Sequence, residues 1–367
     1  MSYESIDKMQ NILSKTVFAH TDSPKKAAGR ALGTIIEIIS FYLIKTWGYE
    51  FSIAIERPLT EYANPGIKHN VEFTLHRGEK IKSIDTPDSK SITSNKIHSL
   101  CSLPPCFVRT ANKNLIRENV LRNACTVAIA GSSFCNAYFN EDKTQIHIYE
   151  LQNQPYAMIE CKRVGVEEGM KKGPQTIEKA KQGSYVARTV SSIQRIRRID
   201  GSISGVAEKD GELVLIDDYN TFIKDVISTG NRELLKNFIL TIGIVSNHGN
   251  WFTSETQNKE MKILAQSYDW LLFLTDDGLS MFLHDVLLDN KSVYLPIKHA
   301  FEESYKKNKK ANHFTKTNMD VEADRLLTSY FIKNISKIQG WFNVISPANE
   351  HISELKSSLK KLAESEV

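Results

Sequence analysis

The sequence has little of what marks a secreted, disulfide-stabilised or zinc-binding protein. Cysteine is scarce, and the five residues neither form a CxxC pair nor add up to an even number. They are Cys101, Cys106, Cys125, Cys135 and Cys161. This usage argues against a disulfide framework and a tetrahedral zinc site, and it favours free thiols in a reducing compartment. The composition, 41% hydrophobic and 25% charged, is that of a globular protein.

Long apolar runs and a strong charge bias are also missing. The most apolar stretch, 32–44, is too short to span a bilayer and contains Glu37. The opening residues "MSYESIDKMQ" lack signal-peptide character, and the net charge of +4 says little unless it is clustered. We therefore expect a soluble, cytoplasmic protein, large enough at 367 residues for two domains or one elaborated domain.

The first hundred residues combine one long helix with extended segments. Asp22 or Ser23 is a suitable N-cap before Pro24, and the apolar run that follows predicts a buried helix to Ile44. The segments "YEFSIAIERPL" and "IKHNVEFTLH" are rich in β-branched and aromatic residues, which is typical of strands. The polar stretch 76–99 predicts a long surface loop or a joint between domains.

The middle of the chain reads as a helix, a group of strands and a second helix. We predict a helix over 113–130, then an antiparallel meander of "SSFCNAYFN", "TQIHIYELQ" and "PYAMIECKR" joined by the turns "NEDK" and "QNQ". A helix from Pro174 through "SIQRIRR" and the strands "GELVLIDDYN" and "NFILTIGIVSN" follow. We divide the chain into an N-terminal region, 1–95, for recognition or dimerisation, a core, 96–250, and a mainly helical C-terminal region, 251–367.

The segment "PYAMIECKRVG" places two opposite charges at the end of an apolar strand. Side chains alternate along a strand, so Glu160 and Lys162 share one face. A buried carboxylate is costly unless it is paired or binds a metal ion. A simple Glu–Lys pair is the commoner explanation of an isolated ExK tripeptide, so the surrounding pattern has to decide.

That pattern resembles the core of the PD-(D/E)xK nucleases: a helix, three antiparallel strands, a helix and a further strand. The stretch "AMIECKRVGVEEGMKKGPQTIEKAKQGSYVAR" resembles a type II restriction endonuclease in particular, and the resemblance extends over about 113–220. It implies an α/β (mixed α+β) fold with a central mixed sheet flanked by helices, with N- and C-terminal additions. It also implies that Glu160 and an Asp from an earlier strand hold Mg²⁺, while Lys162 positions or activates the attacking water.

The aspartate that the resemblance requires is missing. Asn136 in "SSFCNAYFN" stands at the expected position, and we favour it as catalytic residue and metal ligand. It could be a natural weak ligand or a deliberate Asp-to-Asn change that traps uncut substrate; alternatively the acid is Asp142 in the turn "NEDK". Glu72 is a more remote alternative. If Asn136 is the ligand, the chain should bind its target and cut it poorly.

Basic residues follow the ExK strand. Between Lys162 and Arg198 there are ten Lys or Arg and three Glu, a net of +7. Lys181, Arg188 and Arg195 recur every seven residues, and on a helix they would form a stripe that suits a phosphate backbone. A second cluster, with Asn and His interleaved, predicts either an arm that wraps DNA or a solvated loop. It comprises Lys306, Lys307, Lys309, Lys310 and Lys316.

These expectations define a leading hypothesis. The chain would be a Mg²⁺-dependent, homodimeric type II restriction endonuclease that cuts double-stranded DNA at a short palindrome, because twofold symmetry presents equivalent half-sites to two subunits. The resemblance also implies a companion DNA methyltransferase. The alternatives are a DNA-binding protein that keeps the nuclease fold without cutting, and a structure-specific repair nuclease.

Overall fold

A computed structural model describes residues 5–61, 64–165, 181, 184, 191–248, 259–289, 292–305 and 312–365. The fold is mixed α/β, with a central mixed sheet flanked by helices, as the sequence predicted at this level. The helices, labelled in chain order, are α1 (Ile6–Lys15), α2 (Pro24–Ile44), α3 (Ser94–Cys101), α4 (Tyr219–Thr229), α5 (Arg232–Leu235), α6 (Lys259–Ala265), α7 (Asp276–Leu283), α8 (Leu295–Ser304), α9 (Val321–Lys333), α10 (Ile335–Gln339) and α11 (Ile352–Glu364).

The described strands are labelled in the same way. They are β1 (Ile53–Ile55), β2 (Pro58–Glu61), β3 (Asn64–Asn70), β4 (Phe73–Asp85), β5 (Ser91–Thr93), β6 (Val108–Arg109), β7 (Asn114–Arg117), β8 (Val120–Arg122), β9 (Cys125–Ile129), β10 (Ser133–Phe139), β11 (Gln145–Gly165), β12 (Ile193–Arg197), β13 (Ile203–Lys209), β14 (Glu212–Ile216), β15 (Leu240–His248), β16 (Trp270–Leu274), β17 (Asn318–Asp320) and β18 (Phe342–Ser346).

Strand β11 is the centre of the main sheet. Within the described residues this sheet has nine strands in the order β18-β16-β15-β11-β10-β9-β6, and β4 pairs with both β11 and β1. β11 runs parallel to β15 and antiparallel to β10 and β4. The strands of this sheet come from all three regions into which the sequence was divided.

β11 is one long bent strand, so the predicted turn "QNQ" is wrong. Its register with β4 shifts between Leu151 and Pro155 and again between Pro155 and Ala157. Pro155 has no N–H to donate to a ladder, and proline inside a sheet is tolerated at such irregularities. The first half of β11 therefore pairs with β10 and the second half with β15. The apolar run 156–159 is buried, as expected of a strand covered on both faces.

Helix α2 confirms the prediction of a long buried helix and covers one face of β11. It begins at Pro24 after the N-cap residue Ser23, and the Arg163 guanidinium of β11 donates to the Gly29 carbonyl (2.9 Å). The helical stretch Pro24–Tyr49 is long and apolar enough to cross a membrane, but 67% of its apolar window is buried inside the protein. Such burial is that of a core helix and is consistent with a soluble protein.

Three other predictions of local structure are wrong. The segment 113–130 forms the strands β7, β8 and β9, because Glu118 and Ala124 adopt left-handed backbone conformations that end one strand before the next. The supposed surface loop 76–99 is largely taken up by β4, β5 and α3. The residues "IQRIR" form β12 and not the end of a helix.

Substitutions at two glycines test this packing, and we expect them to change the free energy of unfolding in opposite directions. At Gly78 of β4 a Cβ would overlap the Glu150 carbonyl of β11, so Gly78→Ala should lower the free energy of unfolding by about 1–3 kcal/mol. At Gly33 in α2 nothing lies within 4 Å of an added Cβ, so Gly33→Ala should raise it by about 0.5–1 kcal/mol. Urea unfolding measures both; equal effects would contradict the β4–β11 geometry.

Candidate functional site

Glu160 and Lys162 lie near the carboxyl end of β11. The Lys162 ammonium is 2.7 Å from Glu160 Oε1, which confirms that the two side chains are neighbours on one face. Glu160 is 2% exposed, whereas the Lys162 side chain is 30% exposed. The Glu160 carboxylate is therefore buried, whereas part of the Lys162 side chain reaches solvent.

Glu72 joins this pair from a distant part of the sequence. It immediately precedes β4, whose pairing with β11 brings it beside Glu160. Glu72 Oε1 is 3.3 Å from the Lys162 ammonium, and the Glu72 N–H donates to Glu160 Oε2 (3.3 Å). One ammonium thus touches two carboxylates. The acid that sequence analysis treated as a remote alternative is the one that meets Glu160.

Lys316 extends the arrangement on the other side of Glu72. Its ammonium contacts Glu72 Oε2 and also lies 3.3 Å from Glu37 Oε2 and 3.1 Å from Glu56 Oε1. With a side chain only 7% exposed, Lys316 belongs neither to a DNA-wrapping arm nor to a solvated loop. The other lysines of that predicted cluster lie outside the described residues. We call the six side chains the acid–lysine cluster: Glu37, Glu56, Glu72, Glu160, Lys162 and Lys316.

Two of these acids were missed by sequence reasoning. Glu37 lies on α2, where a single carboxylate inside a buried apolar run was the available signal. Glu56 follows β1 in a left-handed conformation (φ 51°), and its N–H donates to the Glu72 carbonyl at 3.1 Å. A non-glycine residue held there is strained, and such strain is often found at functional sites. Nothing local in the sequence indicated Glu56.

The cluster carries more negative than positive charge. Four carboxylates and two ammonium groups give it a formal charge of −2. Burial raises the pKa of Glu160, and Lys162 acts against that rise. Burial likewise raises the pKa of Glu37, opposed chiefly by Lys316. Burial makes an unpaired charge costly, so Glu72 and Glu160, with side chains 13% and 2% exposed, each contact an ammonium group, whereas Glu56, with a side chain 54% exposed, keeps much of its water.

The residues present fit a hard divalent cation, though only in part. Among the described residues, no three His, Cys, Asp or Glu side chains are arranged to hold a metal ion by themselves. Glu72 and Glu160 do converge, with one oxygen of each in reach of the same ammonium. Mg²⁺ is commonly bound by one or two carboxylates, with waters and substrate phosphate completing its shell. A Mg²⁺ ion at this position would therefore depend on Glu72 and Glu160, whose nearest oxygens here contact the Lys162 ammonium.

Asn136, predicted as catalytic residue and metal ligand, is not among the side chains that the structure brings together with Glu160. It pairs with Tyr149 in the first half of β11, whereas Glu160 pairs with Gly243 of β15. Its amide is fully buried: it donates to the Tyr138 hydroxyl (3.0 Å) and the Ile53 carbonyl (3.4 Å) and accepts from Thr126 Oγ1 (2.8 Å). These bonds leave it no opening towards a metal ion.

Asp142 is also outside the cluster. It lies in the exposed turn between β10 and β11, where its carboxylate accepts from the Thr144 N–H (3.1 Å) and hydroxyl (2.6 Å). These hydrogen bonds lower its pKa. Its charge is sufficiently explained by the turn it stabilises.

The predicted basic stripe is not assembled by the described residues. Arg195 lies on β12, and its buried guanidinium donates to the Tyr268 carbonyl, stacks 4.9 Å over the Tyr219 ring and lies 3.8 Å from Asp269. This network is structural and argues against a contact between Arg195 and DNA. Lys181 is half-buried, and Arg188 lies outside the described residues.

A basic cavity of about 510 Å³ lies beside the acid–lysine cluster, between α2, β8, β10 and α9. Five cations and three acids line it: Lys45, Arg122, Lys143, Arg325 and Lys333, with Glu50, Glu141 and Asp324. Its wall residue Asn123 donates to the Lys316 carbonyl (2.9 Å), so cavity and cluster share a boundary. The cavity is therefore linked to the cluster through the backbone of Lys316, and none of the six cluster side chains lines it.

Comparison of the chain with models of protein families, with curated proteins and with solved structures finds no match. What the cluster does must therefore be argued from its own geometry and chemistry.

The hydrogen bonds around the buried Asn136 amide predict the effect of placing an acid at this position. Asn136→Asp would bury a carboxylate against the Ile53 carbonyl and should lower the free energy of unfolding by about 2–4 kcal/mol at neutral pH. Burial raises the folded-state pKa of such an acid, so the destabilisation should shrink as the pH falls and the acid is protonated. Urea unfolding across pH measures this.

Asn140→Asp, in the turn after β10, is the matched control and should change stability by less than about 0.5 kcal/mol. A folded, equally stable Asn136→Asp protein would show that the amide network is not as the structure has it.

Proposed function

We propose that the chain is a Mg²⁺-dependent nuclease of the PD-(D/E)xK type, with the acid–lysine cluster as its catalytic site. One observation carries the proposal: the partly exposed ammonium of Lys162 lies between the carboxylates of Glu160 and Glu72 at the end of a central strand. Glu72 takes the place of the acid from an earlier strand that Asn136 was expected to supply.

The order of the elements supports this assignment. Helix α2 is followed by β1, β4 and β11, each antiparallel to the one before, and β15 is then added parallel to β11. The pattern of the resemblance is a helix, three antiparallel strands, a helix and a further strand; here β2 and β3 intervene between β1 and β4, and α4 and α5 lie between β11 and β15. It begins earlier in the chain than the sequence indicated, because β5 to β10 are inserted between its second and third strands.

Each side chain of the site has a distinct part in the proposal. Glu72 and Glu160 would hold the metal ion, and the Glu72 N–H fixes the Glu160 carboxylate. When bound, the ion would polarise the scissile phosphate and lower the pKa of a bound water. Lys162, partly open to solvent, would orient the attacking water and stabilise the negative charge that grows on the phosphate oxygens.

The substrate proposed is double-stranded DNA, cut at a short palindrome as by a type II restriction endonuclease. The basic cavity beside the cluster supports a polyanionic substrate, since its cations can neutralise backbone phosphates. A homodimer, a companion DNA methyltransferase and a cytoplasmic location are parts of the same proposal that rest on the resemblance.

Asn136 also bears on the alternative function, a DNA-binding protein that keeps the nuclease fold without cutting. That alternative rests on an amide at the position where the resemblance requires an acid. The juxtaposition of Glu72, Glu160 and Lys162 supports a nuclease site in the chain as it stands, without an acid at position 136. We therefore propose an active nuclease and no longer a poorly cutting one.

Substitutions within the cluster test the assignment. Glu72→Gln, Glu160→Gln and Lys162→Met should each slow Mg²⁺-dependent cleavage of plasmid DNA at least about a hundredfold, because each removes a charge that acts at the transition state. Binding to DNA in Ca²⁺ should be retained, since these groups act on metal and water. Discrete fragments from the unmodified protein would indicate site-specific cutting.

Glu150→Gln is the control for these variants, because Glu150 is a β11 carboxylate bonded to Ser133 and outside the cluster. It should cleave at the rate of the unmodified protein. If all four variants cleave alike, Glu160 and Lys162 form an ordinary structural ion pair.

The cavity gives a second prediction. Replacing both Lys143 and Lys333 by Ala should weaken DNA binding and reduce the log–log salt slope by about 0.9 for each phosphate that the variant no longer neutralises. Fluorescence anisotropy with labelled duplex at several salt concentrations measures the slope. Lys360→Ala, on the exposed face of α11, is the matched control and should leave it unaltered. An unaltered slope in the double variant would place the DNA elsewhere.

A further inference from the structure

We infer that the basic cavity is a binding site for one nucleotide, with the base in its interior and the phosphate at its mouth. The proposed contact with DNA backbone phosphates concerns only the cations of the mouth, so a site for the base deepens the proposed function. The nucleotide can come from the end of a DNA strand or from solution, and only the first of these sources rests on that function.

The cavity has an apolar interior and a charged mouth. Among the residues that line it, four apolar or aromatic side chains are buried: Phe41, Ile53, Leu121 and Tyr138. The cations Arg325 and Lys333 of α9 line it too and are exposed. A volume of about 510 Å³ is in the range of sites that enclose a whole small molecule. This division suits a ligand with a flat apolar part and an anionic part.

Aromatic side chains form one wall of the interior. The Phe51 ring stacks on Tyr149, with centroids 4.8 Å and planes 4° apart, and meets the Tyr138 ring edge-on at 5.5 Å. The Tyr138 hydroxyl is engaged within the protein, because it donates to the Ile53 carbonyl (2.9 Å) and accepts from the Asn136 amide (3.0 Å). The wall therefore offers rings and not hydroxyl groups, and nucleobases pack well against aromatic rings.

Arg122 is a half-buried cation of this cavity for which the described residues supply no partner. Its guanidinium makes no hydrogen bond or ion pair with them, and its Nε is shielded from solvent. Two other lining cations differ, since Lys45 is paired with Asp324 (3.1 Å) and Arg325 with Glu322 (2.6 Å). A shielded donor without a partner is costly, so the guanidinium points to a partner from outside the chain.

Glu50 adds a hydrogen-bond acceptor to the same cavity. It is half-buried, and burial raises its pKa against the opposing effect of Lys45. Like Arg122, it makes no hydrogen bond or ion pair with the described residues. A simple aromatic acid would satisfy Arg122 but would bring its anion into the cavity of this carboxylate. A nucleobase satisfies both groups, because its edge presents acceptors to an arginine and N–H donors to a carboxylate.

Lys143 and Lys333 are available for the phosphate. Lys143 lies in the turn between β10 and β11, and Lys333 is the last residue of α9. Neither forms an ion pair with the described residues. These are the two lysines proposed to neutralise backbone phosphates, so the phosphate of a bound nucleotide and that of a DNA strand would use the same contacts.

The experiment measures binding of deoxynucleoside monophosphates to the full chain by calorimetry, without metal or DNA. At least one of them should bind about tenfold or more tightly than deoxyribose phosphate, which lacks the base, and than its own nucleoside, which lacks the phosphate. If deoxyribose phosphate binds as tightly as every nucleotide, or if no nucleotide binds, the cavity has no site for a base.

Two variants remove the site in different ways. Arg122→Gln removes the unpaired guanidinium, and Ser329→Trp fills the interior from a half-buried position on α9. Each should weaken nucleotide binding at least about tenfold. The matched controls Arg117→Gln and Ser336→Trp change exposed residues that do not line the cavity, and they should bind like the unmodified protein. If both variants unfold at the temperature of their controls and bind the nucleotide equally well, the cavity is not its site.

Competition identifies the source of the nucleotide. A duplex with a single-stranded end is compared with a blunt duplex of the same length as competitor for the bound nucleotide. Displacement by the first at a concentration at least about tenfold lower would assign the base to a DNA strand end. Equal displacement by the two duplexes, or none by either, would assign the site to a free nucleotide.

These outcomes are separable from those of the proposed function. Failure of the unmodified protein to cleave DNA, with nucleotide binding as expected, would refute the nuclease and leave the nucleotide site standing. Normal cleavage by a protein that binds no nucleotide would do the reverse.

Discussion

The burial of Glu160 is the constraint on which this structure depends. A carboxylate that is 2% exposed at the end of the central strand has to be compensated, and every element around it supplies part of that compensation. Strand β11 supplies Lys162, and the turn before β4 supplies a backbone N–H and the second carboxylate. The second carboxylate, Glu72, is paired in turn with Lys316, which lies in the loop before β17. The cluster thus couples residues from most of the length of the chain.

The part of this arrangement that is local in sequence could be predicted. Alternation along a strand was sufficient to place Glu160 and Lys162 on one face, and capping and apolar content were sufficient for α2. The mixed sheet flanked by helices also followed from the sequence of strand and helix signals. Each of these inferences depends on residues within a few positions of one another, where geometry is set by the backbone itself.

The partner of Glu160 could not be predicted, because it depends on which strands pair. Asn136 lies on β10, which pairs with the half of β11 before Pro155, whereas Glu160 lies in the half after Pro155. The residues "QNQPY" resemble a turn between two strands but form an irregularity inside one strand, so β10, which carries Asn136, pairs with the part of β11 before Pro155. Glu72 is brought in by β4, whose pairing with β11 has no local signature in either segment.

The same long-range pairing links the cluster to its surroundings. Asn123 lines the basic cavity and bonds the backbone that carries Lys316, so the surface proposed to meet phosphates and the site proposed to hold metal share one rigid boundary. Lys316 and Arg195 each lie in a segment whose composition indicated only that it is basic. In the structure Lys316 is buried among carboxylates, and Arg195 stacks on the Tyr219 ring. Whether a lysine or arginine of the sequence becomes exposed to solvent or a buried ion pair depends on what its side chain packs against in the fold. In this protein the carboxylates that surround Lys316 make it part of the site's own charge balance.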